Sequence, residues 1–99
     1  MENSKKLLQI TNHFGVRTEA IKLQEEVGEF IDLVGEGVHK EVTLDLMSKL
    51  EEEAADVMVV FSQLVNYFNL DENRIKNIYN QKIDRTIQRI DDGWYNKHR

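Results

Sequence analysis

Two pairs of carboxylates, each with members three residues apart, are the side chains of this sequence best suited to chemistry. Glu26 and Glu29 lie in the segment QEEVGEF, and Glu53 and Asp56 lie in the segment EEEAADV. Residues three apart project from the same side of a helix, so each pair places two negative charges side by side. Such a pair is repulsive unless a cation lies between its members, and a set of oxygen ligands suits Mg²⁺ or Mn²⁺.

Helical geometry separates Glu53 from the two glutamates before it. With about 100° of rotation per residue, three apolar residues fall within about 40° of Glu53: Leu46, Val57 and Leu64. Glu51 and Glu52 point away from this stripe, and Asp56 lies on its flank one turn further on. Burying a lone carboxylate is costly, so Glu53 needs a partner, which could be an arginine, a lysine or a cation.

The helix of the QEEVGEF segment supplies the facing pair. Its predicted apolar stripe has Glu26 at the edge and Glu29 one turn further on the same side: Leu23, Val27, Phe30, Ile31 and Val34. Gly28 costs about 1 kcal/mol relative to alanine inside a helix, which suggests that another helix or a ligand approaches closely there. Antiparallel packing of the two helices would place four carboxylates around one point. Neither motif contains histidine, so a di-iron site is not expected. The alternative is that both pairs lie on solvated faces.

A row of basic residues follows one flank of the last long helix. Lys82, Arg85 and Arg89 stand beside an apolar stripe in a chain whose formal net charge is −5. Arginine offers a fork of hydrogen-bond donors and lysine a point charge, and both suit phosphate. The alternative is that these residues pair with acidic groups of other helices or extend into solvent.

The chain is predicted to be all-α and to form a single domain over residues 1–99. It has no proline and five glycines, and its apolar residues follow helical spacing. Four helices are expected, starting near Ser4 as a cap, Thr18, Thr43 and Asp71, and ending near His13, Gly35 or Gly37, Asn69 and Asp92, with Gly15 and Gly93 as stops. The third helix is apolar on more than one side, at Met58, Val59 and Val65, so a partner subunit is expected to cover it.

Composition limits the classes of function. Without cysteine there is neither a disulfide framework nor a thiolate zinc site. The negative net charge argues against nucleic acid as a partner, since binders of DNA need clustered positive charge. No membrane-spanning segment or signal peptide is predicted, so the expected location is the cytoplasm.

Three segments carry a resemblance to a known family: KLQEEVGEF, EEEAADVMVVFSQL and KIDRTIQRIDDGWY. Their order and spacing resemble the MazG-like all-α nucleoside triphosphate pyrophosphohydrolases, in their short single-domain phage and bacterial forms, over roughly residues 5–95. The resemblance implies a bundle of four or five helices completed as a homodimer or homotetramer. It also implies Mg²⁺-dependent hydrolysis of a ribo- or deoxyribonucleoside triphosphate to the monophosphate and pyrophosphate.

The resemblance also implies roles for individual residues. The metal ligands would be Glu26, Glu29, Glu53 and Asp56, and the substrate-binding residues would be Lys49, Lys82, Arg85 and Arg89. Thr86 departs from the family, because many relatives carry asparagine there, so a contact made by that asparagine is not carried over.

Other roles are hypotheses from the chemistry. Glu25, and after it Glu52, are the candidates to accept a proton from water. Trp94 and Tyr95 could pack at an interface, close over a nucleotide or anchor the C-terminus. Two rival functions stay open: a metal-free helical interaction or regulatory module, and the same fold acting on phosphoribosyl-ATP.

Overall fold

The structure, a computed structural model, describes residues 2–98. Five helices and no strand occur in this range, in the order α1 (Ser4–Phe14), α2 (Val16–His39), α3 (Leu44–Tyr67), α4 (Glu72–Asp91) and α5 (Tyr95–His98). The predicted all-α class is confirmed. Within residues 2–98, no helix combines the length and the apolar character needed to cross a bilayer.

Most helix ends follow the predicted capping chemistry. The side chains of Thr43 and Asp71 accept hydrogen bonds from the backbone N–H groups three residues on, at 3.1 and 3.0 Å. Gly15 and Gly93 have positive φ angles of 94° and 71°, which glycine adopts without steric cost. The predicted cap at Ser4 is wrong, because Ser4 is already helical and Asn3 precedes it in the left-handed conformation.

α2 is longer than predicted at both ends. It begins at Val16 rather than near Thr18, with Gly15 alone between it and α1. It also continues past both predicted stops to His39, so the connection to α3 is shorter than expected. A β-carbon at Gly37 would lie 3.6 Å from Leu46 Cδ2, so this glycine stands where the start of α3 packs on the end of α2.

The chain divides into two compact units, Met1–Asn69 and Leu70–Arg99. In the first unit, α3 packs against both α1 and α2, most extensively against α2. Its buried apolar residues are Leu7, Leu46, Val60 and Val65. A polar contact joins α1 to α3, where the Thr11 hydroxyl shares its hydrogen between Leu7 O at 2.9 Å and Gln63 Oε1 at 3.1 Å.

The most buried positions of α2 are polar, and several of its apolar residues are exposed. Its two buried residues are both glutamates, Glu19 and Glu26. The predicted stripe is wrong for Val27, Ile31 and Val34, which are exposed, with Ile31 at 59%. α3 also exposes apolar residues, notably Met58, Val59 and Phe61, whereas Val65 is buried within the chain itself.

The second unit holds α4 and the short α5. The Trp94 indole contacts two side chains of its own unit: the Arg89 guanidinium, 4.4 Å from the ring centroid, and the His98 ring, stacked at 4.1 Å. Trp94 therefore packs on its own unit, as an anchor for the C-terminal turn, and Arg89 is part of that anchor.

Candidate metal centre

Three carboxylates of the first unit converge where α2 faces α3. Each of Glu26, Glu53 and Asp56 offers one oxygen, and these three oxygens all lie within 4.8 Å of one another. Glu26 is buried, Glu53 is half-buried and Asp56 is exposed, so the group runs from the helix interface to the surface. The structure thus brings together three of the four residues that the sequence assigned to a metal site.

Two oxygens of this group are buried without a protein partner. Glu26 Oε2 and Glu53 Oε2 have no hydrogen-bond partner among residues 2–98. Glu26 Oε1 is engaged by the Lys22 ammonium at 3.4 Å, although the Lys22 side chain is half exposed. Buried carboxylate oxygens are normally paired, hydrogen-bonded or bound to a metal ion, so this arrangement is chemically incomplete as it stands.

Glu53 is the carboxyl most affected by this crowding. Burial raises its pKa from the ordinary 4.5 to about 7, together with the neighbouring Glu29 and Glu26, which share a proton with Glu53 and repel its negative charge. Near neutral pH, Glu53 is therefore held between its two forms. Either a proton or a cation can relieve the repulsion.

Glu29 reaches the cluster through Glu53. It is exposed and lies outside the group of three converging oxygens, yet it raises the pKa of Glu53 more than Glu26 does. Gly28 was expected to mark the close approach of another helix or a ligand. A β-carbon there would meet no described atom within 4 Å, so no helix of the described residues packs against it.

A wide cleft of about 610 Å³ opens on one side of the carboxylates. All three helices of the first unit line it. Glu26 and Asp56 form one end, and Glu19 and Gln63 also line it. Glu25, the first candidate to accept a proton, is exposed on this side.

A second, acidic cleft of about 420 Å³ opens on the other side. Glu29 and Glu53 line it, together with Glu52, the other candidate to accept a proton, and Lys49. The Lys49 ammonium lies 3.2 Å from Asp45 on the preceding turn, and its side chain is 59% exposed. Lys49 thus lines the same cleft as Glu29 and Glu53, and its role in binding phosphate stays a prediction.

The remaining predicted substrate-binding residues lie on α4, in the second unit. The Lys82 carbonyl accepts a hydrogen bond from the Thr86 hydroxyl at 2.7 Å, so Thr86 is turned to its own helix. Lys82 and Arg85 are exposed. Their role in binding phosphate stays a prediction, as does that of Arg89.

Among the residues that line the wide cleft, two buried polar residues were missed by the sequence reasoning. Glu19 and Gln63 are each only 2% exposed. The spacing held a signal for Glu19, which precedes the buried Glu26 by two helical turns and so lies on the same buried face of α2. Gln63 follows Asp56 by the same interval, but Asp56 is exposed, so its spacing gives no such signal.

Comparison with known proteins finds no matching family, no similar curated sequence and no similar solved structure. The resemblance to the MazG-like enzymes therefore rests on the three sequence segments alone.

Proposed function

We propose that the chain is a Mg²⁺-dependent nucleoside triphosphate pyrophosphohydrolase that converts a ribo- or deoxyribonucleoside triphosphate to the monophosphate and pyrophosphate. One observation carries the proposal: Glu26, Glu53 and Asp56 bring carboxylate oxygens within 4.8 Å of one another beside a cleft of nucleotide size, and Glu26 and Glu53 each have a buried oxygen with no hydrogen-bond partner among the described residues. Ligand pockets for small molecules usually measure about 300–1,000 Å³.

The donor set fits a hard divalent ion. All converging atoms are carboxylate oxygens, on two helices, and Glu29 adds a fourth carboxylate next to Glu53. Oxygen-only sets of this kind suit Mg²⁺, with Mn²⁺ as the alternative ion. When bound, such an ion supplies a polarised water and neutralises charge on phosphate oxygens.

The chain's own residues have separate tasks in this proposal. Glu25, on the side of the wide cleft, is the first candidate to take a proton from water, and Glu52, in the acidic cleft, is the second. Lys49 offers positive charge beside the cluster for a phosphate oxygen. Water attacks phosphorus, and the bond between the α- and β-phosphates breaks, so pyrophosphate leaves.

A homo-oligomer is part of the proposal. α2 exposes a row of apolar residues at helical spacing, namely Val27, Ile31, Val34 and Val38. α3 adds Met58 and Phe61. Contiguous apolar surface of this kind commonly marks a protein–protein interface, and a second copy of the chain would bury it. Sedimentation equilibrium gives the mass, and a dimer or tetramer is expected.

The direct test is a substrate panel. The protein is incubated with Mg²⁺ and each common ribo- and deoxyribonucleoside triphosphate, and pyrophosphate and phosphate are measured separately. Pyrophosphate with the nucleoside monophosphate is the expected product pair. Release of phosphate alone would mean that a different bond is cleaved. Phosphoribosyl-ATP belongs in the same panel, because the same fold could act on it.

A metal-free interaction module is the rival function, and the exposed apolar rows on α2 and α3 favour it as much as they favour an oligomer. Thermal unfolding with and without divalent ions separates the two functions. An ion that binds only the folded state at about 100 times its Kd stabilises it by about 2.7 kcal/mol. The enzyme requires a rise in melting temperature with Mg²⁺ or Mn²⁺, whereas the interaction module predicts none.

A further inference from the structure

The far end of the wide cleft holds a carboxylate that the proposed chemistry does not use. Glu19 is 2% exposed and lines the cleft, yet no residue among 2–98 forms a hydrogen bond or ion pair with its side chain. It does not belong to the converging carboxylates, of which Glu26 lies two turns further along α2 and the others lie on α3. A carboxylate buried in this way lacks the donors that it needs from the protein.

Gln63 lies at the same end of the cleft and offers the opposite hydrogen-bonding character. It is also 2% exposed. The Thr11 hydroxyl donates to Gln63 Oε1 at 3.1 Å, which orients the amide. Within the described residues, the Gln63 amide nitrogen has no acceptor, so its two hydrogens are available to a ligand in the cleft.

The spacing of these groups matches the length of a nucleotide. Seven residues separate Glu19 from Glu26 on α2, and seven separate Asp56 from Gln63 on α3. At about 1.5 Å per residue, each interval is roughly 10 Å along the helix axis. A 5′-phosphate and the hydrogen-bonding edge of its base are separated by a distance of the same order. A nucleotide with phosphates at the carboxylate cluster therefore places its base edge near Glu19 and Gln63.

The walls between the two ends suit the faces of a base. Ile10, Phe14, Ile21 and Val59 line the cleft, and the Phe14 ring is largely exposed. Aromatic and aliphatic side chains bind the flat faces of bases without selecting among them. Selection therefore falls to the two buried polar groups at the end.

We propose that this end of the cleft recognises guanine, so that the preferred substrates are guanosine and deoxyguanosine triphosphates; the proposal rests on the function proposed above. Guanine presents two adjacent N–H donors, at N1 and N2, beside the acceptor O6. The Glu19 carboxylate, which only accepts, receives both hydrogens, and the Gln63 amide donates to O6.

The other bases do not match this pair of groups. Adenine and cytosine present one amino group beside a ring nitrogen that is an acceptor, and uracil and thymine present one N–H between two carbonyl oxygens. In each case an oxygen of Glu19 would face a lone pair rather than a hydrogen. A desolvated site that leaves a polar group unpaired discriminates strongly against such ligands.

Two measurements on the wild type and on Glu19→Gln test the proposal. The first is kcat/KM for each ribo- and deoxyribonucleoside triphosphate with Mg²⁺. The second is calorimetric binding of GMP, AMP, CMP and UMP, which needs no turnover. The wild type is expected to favour guanine by about tenfold or more in both measurements, and Glu19→Gln, which replaces one acceptor by a donor, is expected to lose that preference.

Two matched variants control for general effects. Glu51→Gln makes the same chemical change on an exposed residue of α3 that lines neither cleft, and is expected to keep the guanine preference. Gln63→Leu removes the donor to O6 and is expected to reduce the preference in the same direction as Glu19→Gln. Circular dichroism reports whether each variant is folded. If a variant does not fold, the base preference of the wild type still tests the proposal.

The outcomes separate this proposal from the proposed function. Hydrolysis of all bases at similar kcat/KM, with no effect of Glu19→Gln, would overturn the guanine site and leave the enzyme intact. Tight, Glu19-dependent binding of GMP without hydrolysis would support the guanine site and overturn the enzyme. Failure of both hydrolysis and GMP binding would reject both, and would leave the cleft to another occupant such as a second copy of the chain.

Discussion

The wide and the acidic cleft flank the same carboxylates but differ in their walls. The wide cleft has apolar side chains from three helices, with buried polar groups at its ends. Six of the seven residues that line the acidic cleft are charged, and Lys49 is the one cation among them. The first offers flat apolar surface with a few fixed hydrogen-bonding groups, and the second offers charge.

The difference indicates a division of labour across the cluster. Apolar walls with few polar groups are typical of pockets that bind the organic part of a ligand. A cleft of carboxylates repels free phosphate, so it can accept phosphate oxygens only together with a cation. Changes at the apolar walls of the wide cleft, or at Glu19 and Gln63, should therefore alter which nucleotide is used, whereas changes in the acidic cleft should alter the rate for all nucleotides.

The largest effect is expected from Glu53→Gln, because Glu53 belongs to the converging group and also lines the acidic cleft. The variant keeps the shape of the side chain but replaces one oxygen ligand and removes its charge. Mg²⁺-dependent pyrophosphate release is expected to fall by about two orders of magnitude or more, equally for every base. Initial rates at saturating Mg²⁺ measure this.

Glu51→Gln is the matched control for Glu53→Gln, since Glu51 lies two residues away on the exposed side of the same helix. It should retain wild-type rates. Full activity of Glu53→Gln would show that the reaction does not occur at the carboxylate cluster. The proposed division of labour between the two clefts would then have no basis.

Much of the fold was predictable because the local signals are strong. Thr43 and Asp71 cap their helices as predicted, and Gly15 and Gly93 take the positive φ angles that end a helix. The end of α2 was not predictable from its glycines, because Gly35 and Gly37 both lie inside the helix despite the intrinsic cost of glycine there. Leu46 packs close to Gly37, whereas a β-carbon at Gly35 would meet no described atom within 4 Å.

The candidate site was predictable only in part. Helical spacing predicted that Glu26 and Glu29 would face Glu53 and Asp56. The structure brings Glu26, Glu53 and Asp56 together and leaves Glu29 outside this group. The inward face of α2 was misassigned, since the rule that apolar residues lie inside placed Ile31 in the core and left Glu19 unnoticed. That rule fails where a helix carries a polar site on one side and exposes apolar residues on the other.

A smaller effect is expected from Lys49→Gln, which tests the acidic cleft without touching the carboxylates. Removing the one cation that lines this cleft should lower kcat/KM by roughly tenfold for every nucleotide. The effect is moderate because the side chain is largely solvated and already pairs with Asp45. A uniform loss across bases supports the division of labour. A loss confined to one base would place base selection in the acidic cleft and would contradict the division of labour.

The smallest effect concerns stability without metal ions, and it follows from the raised pKa of Glu53 in the acidic cleft. An unfolded glutamate ionises near 4.5, whereas folded Glu53 ionises near 7, so the unfolded state releases this proton first as the pH rises. Glu53 therefore contributes stability below pH 4.5 that is lost progressively up to about pH 7.

In a chelating buffer, the melting temperature of the wild type minus that of Glu53→Gln should fall across this window and level off above it. Saturating Mg²⁺ should raise the melting temperature of the wild type again above pH 7, because the cation takes the place of the proton between the carboxylates. A difference in melting temperature that does not vary with pH would mean that burial, Glu29 and Glu26 do not raise the pKa of Glu53. The acidic cleft would then lack the repulsion between carboxylates that distinguishes it from the wide cleft.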